Sequence, residues 1–165
     1  MTNTLLWLAA VTITAIDTNV LLDLLSPEGS QKADALTALT NLAEDDLVIC
    51  EVVFAELAAA FTRAAELEDF LDSNQINVMA SDAGTLFLAG RAWHEYVRRR
   101  PMGLVCPSCG TETIARCGQC QTVMSIRPRT LPDFYIAAHA LVHADRLMTR
   151  DKRHFQTYFP QLPLI

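Results

Sequence analysis

Apolar, β-rich stretches alternate with helical stretches along most of the chain, and no other feature restricts the fold as strongly. Short apolar runs typical of buried strands fall at residues 12–16, 47–50, 76–79 and 147–149. Segments with apolar residues at helical spacing separate these runs. Because parallel strands need long crossover connections, usually helices, the alternation predicts an α/β domain with a central parallel sheet.

The helical segments show start and stop signals. Ser30 is predicted to cap one helix, and Ser81 is predicted to cap a long helix that Pro101 ends. Pro132 suits the first turn of a further helix. Residues 51–65 are predicted to form a single helix. Its apolar stripe is made of Val53, Leu57, Ala60, Phe61 and Ala64.

The 165 residues have about the length of one domain, and 1–165 is interpreted as a single domain. Residues 101–130 are rich in Cys, Gly, Pro and Arg and poor in core-forming side chains. We interpret this segment as an insertion within the domain, and we see no internal repeat. No apolar run reaches the ~18 residues of a membrane span. Residues 5–13 follow no Lys or Arg and precede no clear cleavage site, so a cytoplasmic chain is predicted.

Four acidic residues stand where the predicted fold brings distant segments together. Asp17 follows the first strand directly, and Asp151 comes just after the last one. Glu56 lies in an otherwise apolar helix, and Asp133 lies in the first turn of the helix after the insertion. Ligands of open α/β sheets bind beyond the carboxyl ends of the strands. Clustered carboxylates are costly unless a cation neutralises them, and Mg²⁺ or Mn²⁺ prefer such oxygen ligands.

Each acid also has a structural interpretation. Asp17 could cap a helix, Asp133 could lie favourably in a helix dipole, and Asp151 could belong to a turn. Glu56 is the hardest to explain in this way, because a glutamate buried in the middle of an apolar helix face is unusual. Together the acids support a hypothesis of phosphodiester hydrolysis, in which a metal ion activates water and stabilises the leaving oxygen.

Four segments of the sequence resemble the motifs of PIN-domain nucleases, in order and in spacing. These segments are Ile16–Leu25, Glu51–Leu57, Leu131–Ala140 and Leu147–Phe155. The chain resembles most closely the VapC-type toxins of type II toxin–antitoxin pairs, and the resemblance covers nearly the whole chain except residues 101–130. It implies a PIN-like fold of three layers, α/β/α, around the central parallel sheet.

The resemblance implies a Mg²⁺- or Mn²⁺-dependent endoribonuclease. The metal-binding and catalytic acids that it implies are Asp17, Glu56, Asp133 and Asp151, with Asn19 and Thr149 as supporting polar residues. It also implies a homodimer and an antitoxin partner. The alternatives are a PIN nuclease that processes ribosomal RNA, a DNA nuclease, and a non-catalytic RNA-binding module whose acids are structural.

Four cysteines set the insertion apart from the rest of the chain. Cys106, Cys109, Cys117 and Cys120 form two Cys-x-x-Cys pairs with seven residues between the pairs. Two such turns can present four thiolates tetrahedrally, which indicates a structural Zn²⁺ ion in a zinc knuckle. Disulfides or redox pairs and an iron–sulfur cluster are the alternatives, although a reducing cytoplasm disfavours disulfides. A segment with so few apolar side chains is expected to need such a metal to become ordered.

The insertion and its flanks are basic, although the whole chain has a formal net charge of −6. Residues 91–129 contain seven Arg and two Glu, and a basic segment on an acidic body is typical of a polyanion site. We predict that the insertion grips the RNA backbone; the alternative is that it contacts a second copy of the chain or the antitoxin. The candidate RNA-binding residues are Arg98, Arg99, Arg100, Arg116, Arg127 and Arg129.

Some reactive residue types are given structural interpretations. Cys50, at the end of a buried strand, is interpreted as a small core residue. His139 and His143 are spaced four apart on one helix, but no HExxH pattern accompanies them, so they are interpreted as core-edge or surface residues. Asp23 is left outside the metal site.

Overall fold

The computed structural model describes residues 11–27, 30–99, 103–106, 108–109, 111–124 and 131–165. The strands are β1 (Ile13–Ile16), β2 (Asp46–Ile49), β3 (Ile76–Val78), β4 (Leu104–Val105), β5 (Glu112–Thr113), β6 (Ala115–Arg116), β7 (Val123–Met124) and β8 (Arg146–Met148). The helices are α1 (Thr18–Leu25), α2 (Ser30–Thr40), α3 (Glu51–Leu57), α4 (Ala64–Ser73), α5 (Ala83–Arg99), α6 (Leu131–His143) and α7 (Lys152–Tyr158). Within these described ranges, no helix combines the length and the apolar character needed to cross a membrane.

A four-stranded sheet forms the centre of the domain. Its strand order is β3-β2-β1-β8, and every neighbouring pair is parallel. Residues 14–16 of β1 are all buried, and so are residues 47–49 of β2. Because successive residues of a strand point to opposite faces, both faces of the sheet are covered by other parts of the chain. The predicted α/β fold with a central parallel sheet is therefore confirmed.

The C-terminal residues extend this sheet beyond β8. Leu164 forms a parallel bridge with Leu147, and the N–H of Ile165 donates to the carbonyl of Leu147 at 3.0 Å. The N–H of Thr149 in turn donates to the carbonyl of Ile165 at 3.2 Å. These bonds satisfy backbone groups that an open sheet edge would leave unpaired.

The single helix predicted over residues 51–65 is wrong, because the chain leaves the helix before Phe61. A 3-10 turn follows α3, and α4 begins only at Ala64. Phe61 has extended backbone angles (φ −118°, ψ 151°), and its ring packs against Phe70 of α4 at a centroid distance of 5.6 Å. The predicted apolar stripe is buried as far as Leu57, and its two alanines are exposed.

The predicted cap of α5 by Ser81 is also wrong. Oδ1 of Asp82 accepts the N–H of Thr85 at 2.7 Å, whereas Ser81 donates its N–H and its hydroxyl to the carboxylate of Glu51 at 2.9 and 3.2 Å. The Tyr135 hydroxyl donates to the same carboxylate at 3.1 Å. Burial raises the pKa of Glu51, but these hydrogen bonds outweigh it and the pKa lies below its ordinary value. Glu51 thus joins α3, the start of α5 and α6, a role that the sequence did not predict.

A buried hydroxyl joins β1 and β8 to the residue that precedes β2. Thr14 is fully buried, and its hydroxyl donates to the carboxylate of Asp45. Nε of Arg146 donates to the Thr14 hydroxyl at 2.8 Å, and Nη2 of Arg146 lies 2.5 Å from Oδ2 of Asp45. The three side chains therefore satisfy one another at the amino end of the sheet.

Thr14→Val is expected to lower the free energy of unfolding by about 1–3 kcal/mol, because valine keeps the shape but removes the hydroxyl from a buried polar network. Urea denaturation measures the change. The control is Thr37→Val: Thr37 is exposed, and its hydroxyl donates to the Ala33 carbonyl at 2.9 Å. A change within about 0.5 kcal/mol is expected there. Equal losses in the two variants would contradict the role assigned to Thr14.

The insertion contains two small antiparallel hairpins. β4 pairs with β5, and β6 pairs with β7. Each hairpin carries one of the two Cys-x-x-Cys pairs between its strands. None of the side chains described within residues 104–124 is buried. The described side chains of residues 104–124 therefore do not belong to the buried core. The predicted boundaries of the insertion, residues 101 and 130, lie outside the described residues and stay predictions.

Candidate active site

The four predicted acids lie around one cleft, beyond the carboxyl ends of β1 and β8. Asp17 follows β1, Glu56 belongs to α3, Asp133 lies in the first turn of α6, and Asp151 precedes α7. The cleft has a volume of about 320 Å³. Its lining residues are Asp17, Thr18, Asn19, Leu22, Glu56, Asp133, Asp151 and Phe155. The fold thus gathers acids from four separate segments, as expected for a ligand site of a parallel sheet.

Two polar side chains fix the carboxylate of Asp17, which is 6% exposed. Nδ2 of Asn19 and the hydroxyl of Thr149 both donate to Oδ2 of Asp17, each at 2.6 Å. Asn19 accepts the N–H of Arg150 at 3.2 Å, and the Thr149 hydroxyl accepts the N–H of Asp151 at 3.1 Å. Because both donors use the same oxygen, they hold the carboxylate in one orientation and leave Oδ1 outside these two bonds.

Burial raises the pKa of Asp17 to about 6. The hydrogen bond from Thr149 opposes this rise, whereas the negative charges of Asp133 and Glu56 add to it. A bound cation would reverse the balance, since a positive charge favours the ionised carboxylate. A buried acid with a raised pKa among other acids is typical of a functional site.

The prediction that Glu56 is buried in an apolar helix face is wrong. Its side chain is exposed, because α3 ends at Leu57 and only Val53 and Leu57 of this short helix are buried. The carboxylate of Glu56 accepts a hydrogen bond from the hydroxyl of Thr18, which is itself buried. Glu56 therefore lines the cleft from an exposed helix surface and is held there by Thr18.

Asp133 and Asp151 both lie at the first turn of a helix. Asp133 is partly buried in the first turn of α6. Asp151 is the N-cap of α7, and its Oδ1 accepts the N–H of His154 at 3.3 Å. The sequence interpretation placed Asp151 in a turn, whereas the structure shows it as a helix cap through one of its carboxylate oxygens. A carboxylate has two oxygens, so a cap can also be a metal ligand.

No three His, Cys, Asp or Glu side chains of the described residues form a group that could hold a metal ion. The four carboxylates nevertheless share one cleft, and two of them act on the pKa of Asp17. Oxygen ligands of this kind fit Mg²⁺ or Mn²⁺, and Mg²⁺ commonly takes one or two carboxylates and completes its shell with water. The chemistry of the cleft therefore fits an ion of this class.

Comparison with known proteins identifies the domain. The PIN domain family matches residues 14–160, a range that contains all four acids. The chain belongs to the PIN-domain family. PIN domains are typically metal-dependent nucleases. No curated protein matches the chain in sequence.

Solved structures share the fold of this PIN domain. For a toxin–antitoxin complex from Klebsiella pneumoniae, the TM-score is 0.56 and the sequence identity is 18%. The match covers 92% of this chain and 95% of the matched chain. For VapBC2 from Rickettsia felis, bound to a promoter DNA fragment, the TM-score is 0.55 and the sequence identity is 18%. The match covers 93% of this chain and 97% of the matched chain. For FitAcB from Neisseria gonorrhoeae, the TM-score is 0.55 and the sequence identity is 19%. The match covers 92% of this chain and 96% of the matched chain. At these identities the similarity shows the fold alone.

Three of the predicted RNA-binding arginines lie within the described residues of this PIN domain, two on α5 and one on the insertion. Arg98 and Arg99 are exposed on the last turn of α5, at 3.8 and 3.5 Å from the carboxylate of Glu95. Nη1 of Arg116 donates to the carbonyl of Gln121 at 2.9 Å. The other three, Arg100, Arg127 and Arg129, lie outside the described residues.

The reactive residues outside the cleft have structural partners. Asp23 is buried, and its carboxylate lies 3.0 Å from Nε of Arg150. Burial raises the pKa of Cys50 to about 11. His139 is buried, with Nε2 at 3.0 Å from the carbonyl of Met79, and burial lowers its pKa. Cys50 is therefore a buried core residue, as interpreted from the sequence, whereas His139 is buried and does not lie at the core edge or the surface.

Each cysteine pair of the insertion has a threonine beside its second cysteine. Sγ of Cys109 lies 3.2 Å from Oγ1 of Thr111, and Sγ of Cys120 lies 3.3 Å from Oγ1 of Thr122. Hydrogen bonding with these threonines lowers the pKa of Cys109 and of Cys120 to about 7. All the cysteines are free thiols. Among the described residues, the four cysteines do not form a group that could hold a metal ion, so this structure does not confirm the zinc knuckle.

Proposed function

We propose that this PIN domain is a Mg²⁺- or Mn²⁺-dependent endoribonuclease and the toxin of a toxin–antitoxin pair. The observation that carries the proposal is the cleft in which Asp17, Glu56, Asp133 and Asp151 converge within the matched domain. Their chemistry fits one of these ions, which when bound supplies Lewis acidity and an activated water for phosphodiester hydrolysis.

The residues of the cleft provide charge and orientation for this reaction. Asn19 and Thr149 hold Oδ2 of Asp17 and so orient the carboxylate that we assign to the ion. The remaining acids, Glu56, Asp133 and Asp151, hold the ion or orient the attacking water. The proposed nucleophile is a water molecule that attacks the phosphodiester directly, without a covalent protein intermediate; none of the described residues that line the cleft is Ser or Cys.

Titration of the metal-free protein with Mn²⁺ by calorimetry tests the proposed metal site. Glu56→Gln is expected to weaken Mn²⁺ binding, because it removes a negative charge from the cleft. Glu68→Gln on α4 is the matched control, since Glu68 is exposed and does not line the cleft. Absence of Mn²⁺ binding to the folded wild-type protein would contradict the proposal, as would equal binding by the wild-type protein and Glu56→Gln.

Thr149→Val is expected to lower the metal-dependent cleavage rate by about 10–100-fold, because residues that support a metal ligand have effects of this size. The hydrogen bond from Thr149 lowers the pKa of Asp17. Its loss should therefore also move the rising limb of the pH–rate profile to higher pH. Thr157→Val on α7, whose hydroxyl donates to the Arg153 carbonyl at 2.8 Å, is expected to leave the rate and profile unchanged. An unshifted profile in Thr149→Val would count against this role.

The position of the basic segment supports a nucleic acid as the substrate. Tyr96 of α5 packs against Phe134 at a centroid distance of 5.3 Å, and Phe134 follows Asp133. The end of α5, with Arg98 and Arg99, therefore lies close to the helix turn that carries one of the acids. Exposed arginines near a nuclease cleft suit the phosphates of a nucleic-acid backbone.

Arg116→Ala combined with Arg127→Ala and Arg129→Ala is expected to weaken RNA binding and to reduce its salt dependence. Each lost phosphate contact should lower the slope of log K against log salt by about 0.7 for a single strand. Fluorescence anisotropy with a labelled RNA at several salt concentrations measures both quantities. The control is Arg63→Ala, because Arg63 pairs with Glu66 at the start of α4. Unchanged RNA affinity in the triple variant would instead favour contacts of the insertion with a protein partner.

The partners follow from the same proposal. The solved structures from Klebsiella pneumoniae and Rickettsia felis are toxin–antitoxin assemblies, which supports an antitoxin as the partner of this chain. We further propose a homodimer that acts in the cytoplasm, and a structural Zn²⁺ ion in the insertion.

A further inference from the structure

The two hairpins of the insertion are copies of one another, so the sequence-based view that the chain has no internal repeat is wrong. The first copy spans residues 104–113 and the second spans residues 115–124, an offset of eleven residues throughout. In both copies, six residues of sequence separate two strands of two residues each. The residues that recur are Cys106, Cys109 and Thr111 in the first copy, and Cys117, Cys120 and Thr122 in the second.

The recurring residues make the same contacts in each copy. The N–H of the first cysteine donates to the carbonyl of the threonine, at 3.0 Å in the first copy and 2.9 Å in the second. The threonine hydroxyl lies 3.2 and 3.3 Å from Sγ of the second cysteine. Gln121 adopts a left-handed backbone (φ 58°), and the first copy has Gly110 at the corresponding place in the sequence. The two copies therefore share the same cysteine–threonine contacts around a pair of thiols.

No buried apolar side chain among the described residues of 104–124 stabilises the two hairpins. Ile114, the single residue between the copies, is 62% exposed, and Met124 is 47% exposed. An isolated two-stranded hairpin is marginal in water even with longer strands. In a segment without a core, metal binding can supply the missing folding free energy.

We propose that the two copies bind one Zn²⁺ ion through their four cysteines, and that Thr111 and Thr122 position the thiolates. Paired thiolates select zinc over the hard cations that suit the acidic cleft. Seven residues separate the two pairs, and two Cys-x-x-Cys turns joined in this way can supply the four ligands of one tetrahedral ion. With four protein ligands this ion is structural, and its presence does not depend on the proposed nuclease activity.

Metal content and cobalt spectra test this site without an activity assay. The full chain, purified under reducing conditions, is expected to hold one Zn²⁺ per molecule by elemental mass spectrometry. After exchange with Co²⁺ it is expected to show the thiolate-to-cobalt charge-transfer bands of a tetrahedral sulfur site. Folded, reduced protein that contains no zinc, or a cobalt spectrum without thiolate bands, would overturn the proposal.

A double variant with one change in each copy, Cys109→Ser with Cys120→Ser, is expected to lose the zinc. The control, Cys50→Ala, is expected to keep it, because Cys50 is buried at the start of α3. Circular dichroism is expected to show the parallel-sheet core intact in the double variant, since none of the side chains described in residues 104–124 is buried. Retention of zinc by the double variant would contradict a four-cysteine site.

The threonines are tested by affinity and by conservative rescue. Thr111→Val with Thr122→Val is expected to weaken Zn²⁺ binding by about 10–100-fold, measured by competition with a chromophoric chelator. Serine at both positions is expected to restore the affinity, because it keeps the hydroxyl. Wild-type affinity in the valine variant would remove the positioning role. An equal loss in the serine variant would also overturn this role, because serine keeps the hydroxyl.

Discussion

Asp17→Asn is expected to stabilise the metal-free protein at pH 8 and to lower metal-dependent cleavage by at least about 100-fold. The loss of activity follows because an amide nitrogen cannot replace the carboxylate oxygen that we assign to the ion. Residues that only support a metal ligand already have effects of about 10–100-fold. The gain in stability and the loss of activity have the same cause. The buried negative charge of Asp17 destabilises the metal-free fold, and the same charge is what we expect to bind the cation.

The gain in stability follows from the raised pKa of Asp17. The folded-state pKa is about 6, against an ordinary value of 3.8. Between these values the folded state binds more protons than the unfolded state. The contribution of Asp17 to stability therefore falls as the pH rises from about 4 to about 6, and it stays low above that range. Asparagine is uncharged and can accept both hydrogen bonds on one oxygen, so we expect a gain of about 1–3 kcal/mol at pH 8.

Urea denaturation in EDTA at pH 8 and at pH 4 measures this effect. The gain should be present at pH 8 and nearly absent at pH 4, where Asp17 is protonated in the folded wild-type protein. Asp82→Asn is the control, because the N–H of Thr85 lowers the pKa of Asp82 and so favours its charged form in the fold. That variant should gain no stability at pH 8. A loss of stability in Asp17→Asn that is equal at both pH values would contradict the assigned pKa.

Phe134→Ala is expected to lower the free energy of unfolding by about 3–5 kcal/mol, the usual range for a fully buried phenylalanine. Phe134 is 0% exposed, and the ring centroids of Tyr96, His154, Tyr158 and Phe159 lie 5.3, 5.5, 5.4 and 6.3 Å from its own. Removal of the ring leaves a cavity where α5, α6 and α7 meet. Because Asp133 is the preceding residue, the same variant should also weaken Mn²⁺ binding at the cleft.

Phe87→Ala provides a matched control for the loss at Phe134. Phe87 is on α5, and it is 72% exposed. The same chemical change should therefore alter the free energy of unfolding by no more than about 0.5 kcal/mol. Urea denaturation of both variants measures the difference. A loss below about 1 kcal/mol in Phe134→Ala would show that the aromatic cluster does not anchor α6.

The sequence predicted the sheet well because its signal is local. Runs such as 47–50 are apolar without interruption, which is the composition of a strand buried on both faces. The pairing of Ile165 with β8 could not be predicted in this way, because it consists of backbone hydrogen bonds that leave no trace in the side-chain pattern. The end of α3 was missed for a related reason, since the packing of Phe61 on Phe70 is a tertiary contact.

The candidate site was also predictable in part, where its features depend on the local sequence and not on contacts between distant segments. The position of Asp17 at a strand end was readable from the sequence, and so was its segment's resemblance to a PIN motif. The exposure of Glu56 was not readable, because it depends on where α3 stops. The roles of Thr18 at Glu56 and of Glu51 beneath α6 were also missed, since each arises from a contact between distant segments. The repeat in the insertion was missed because only its cysteines and one threonine recur.

Cleavage of defined nucleic acids by the purified protein tests the central claim most directly. The substrates are transfer, ribosomal and messenger RNAs and a single-stranded DNA, each with Mn²⁺, with Mg²⁺ and with EDTA, and Asp151→Asn is assayed in parallel. We predict cuts at discrete sites in RNA that require the metal ion and disappear in Asp151→Asn. Equal cleavage by Asp151→Asn, or no cleavage of any RNA by folded protein supplied with Mn²⁺, would contradict the assignment of the cleft as a ribonuclease site.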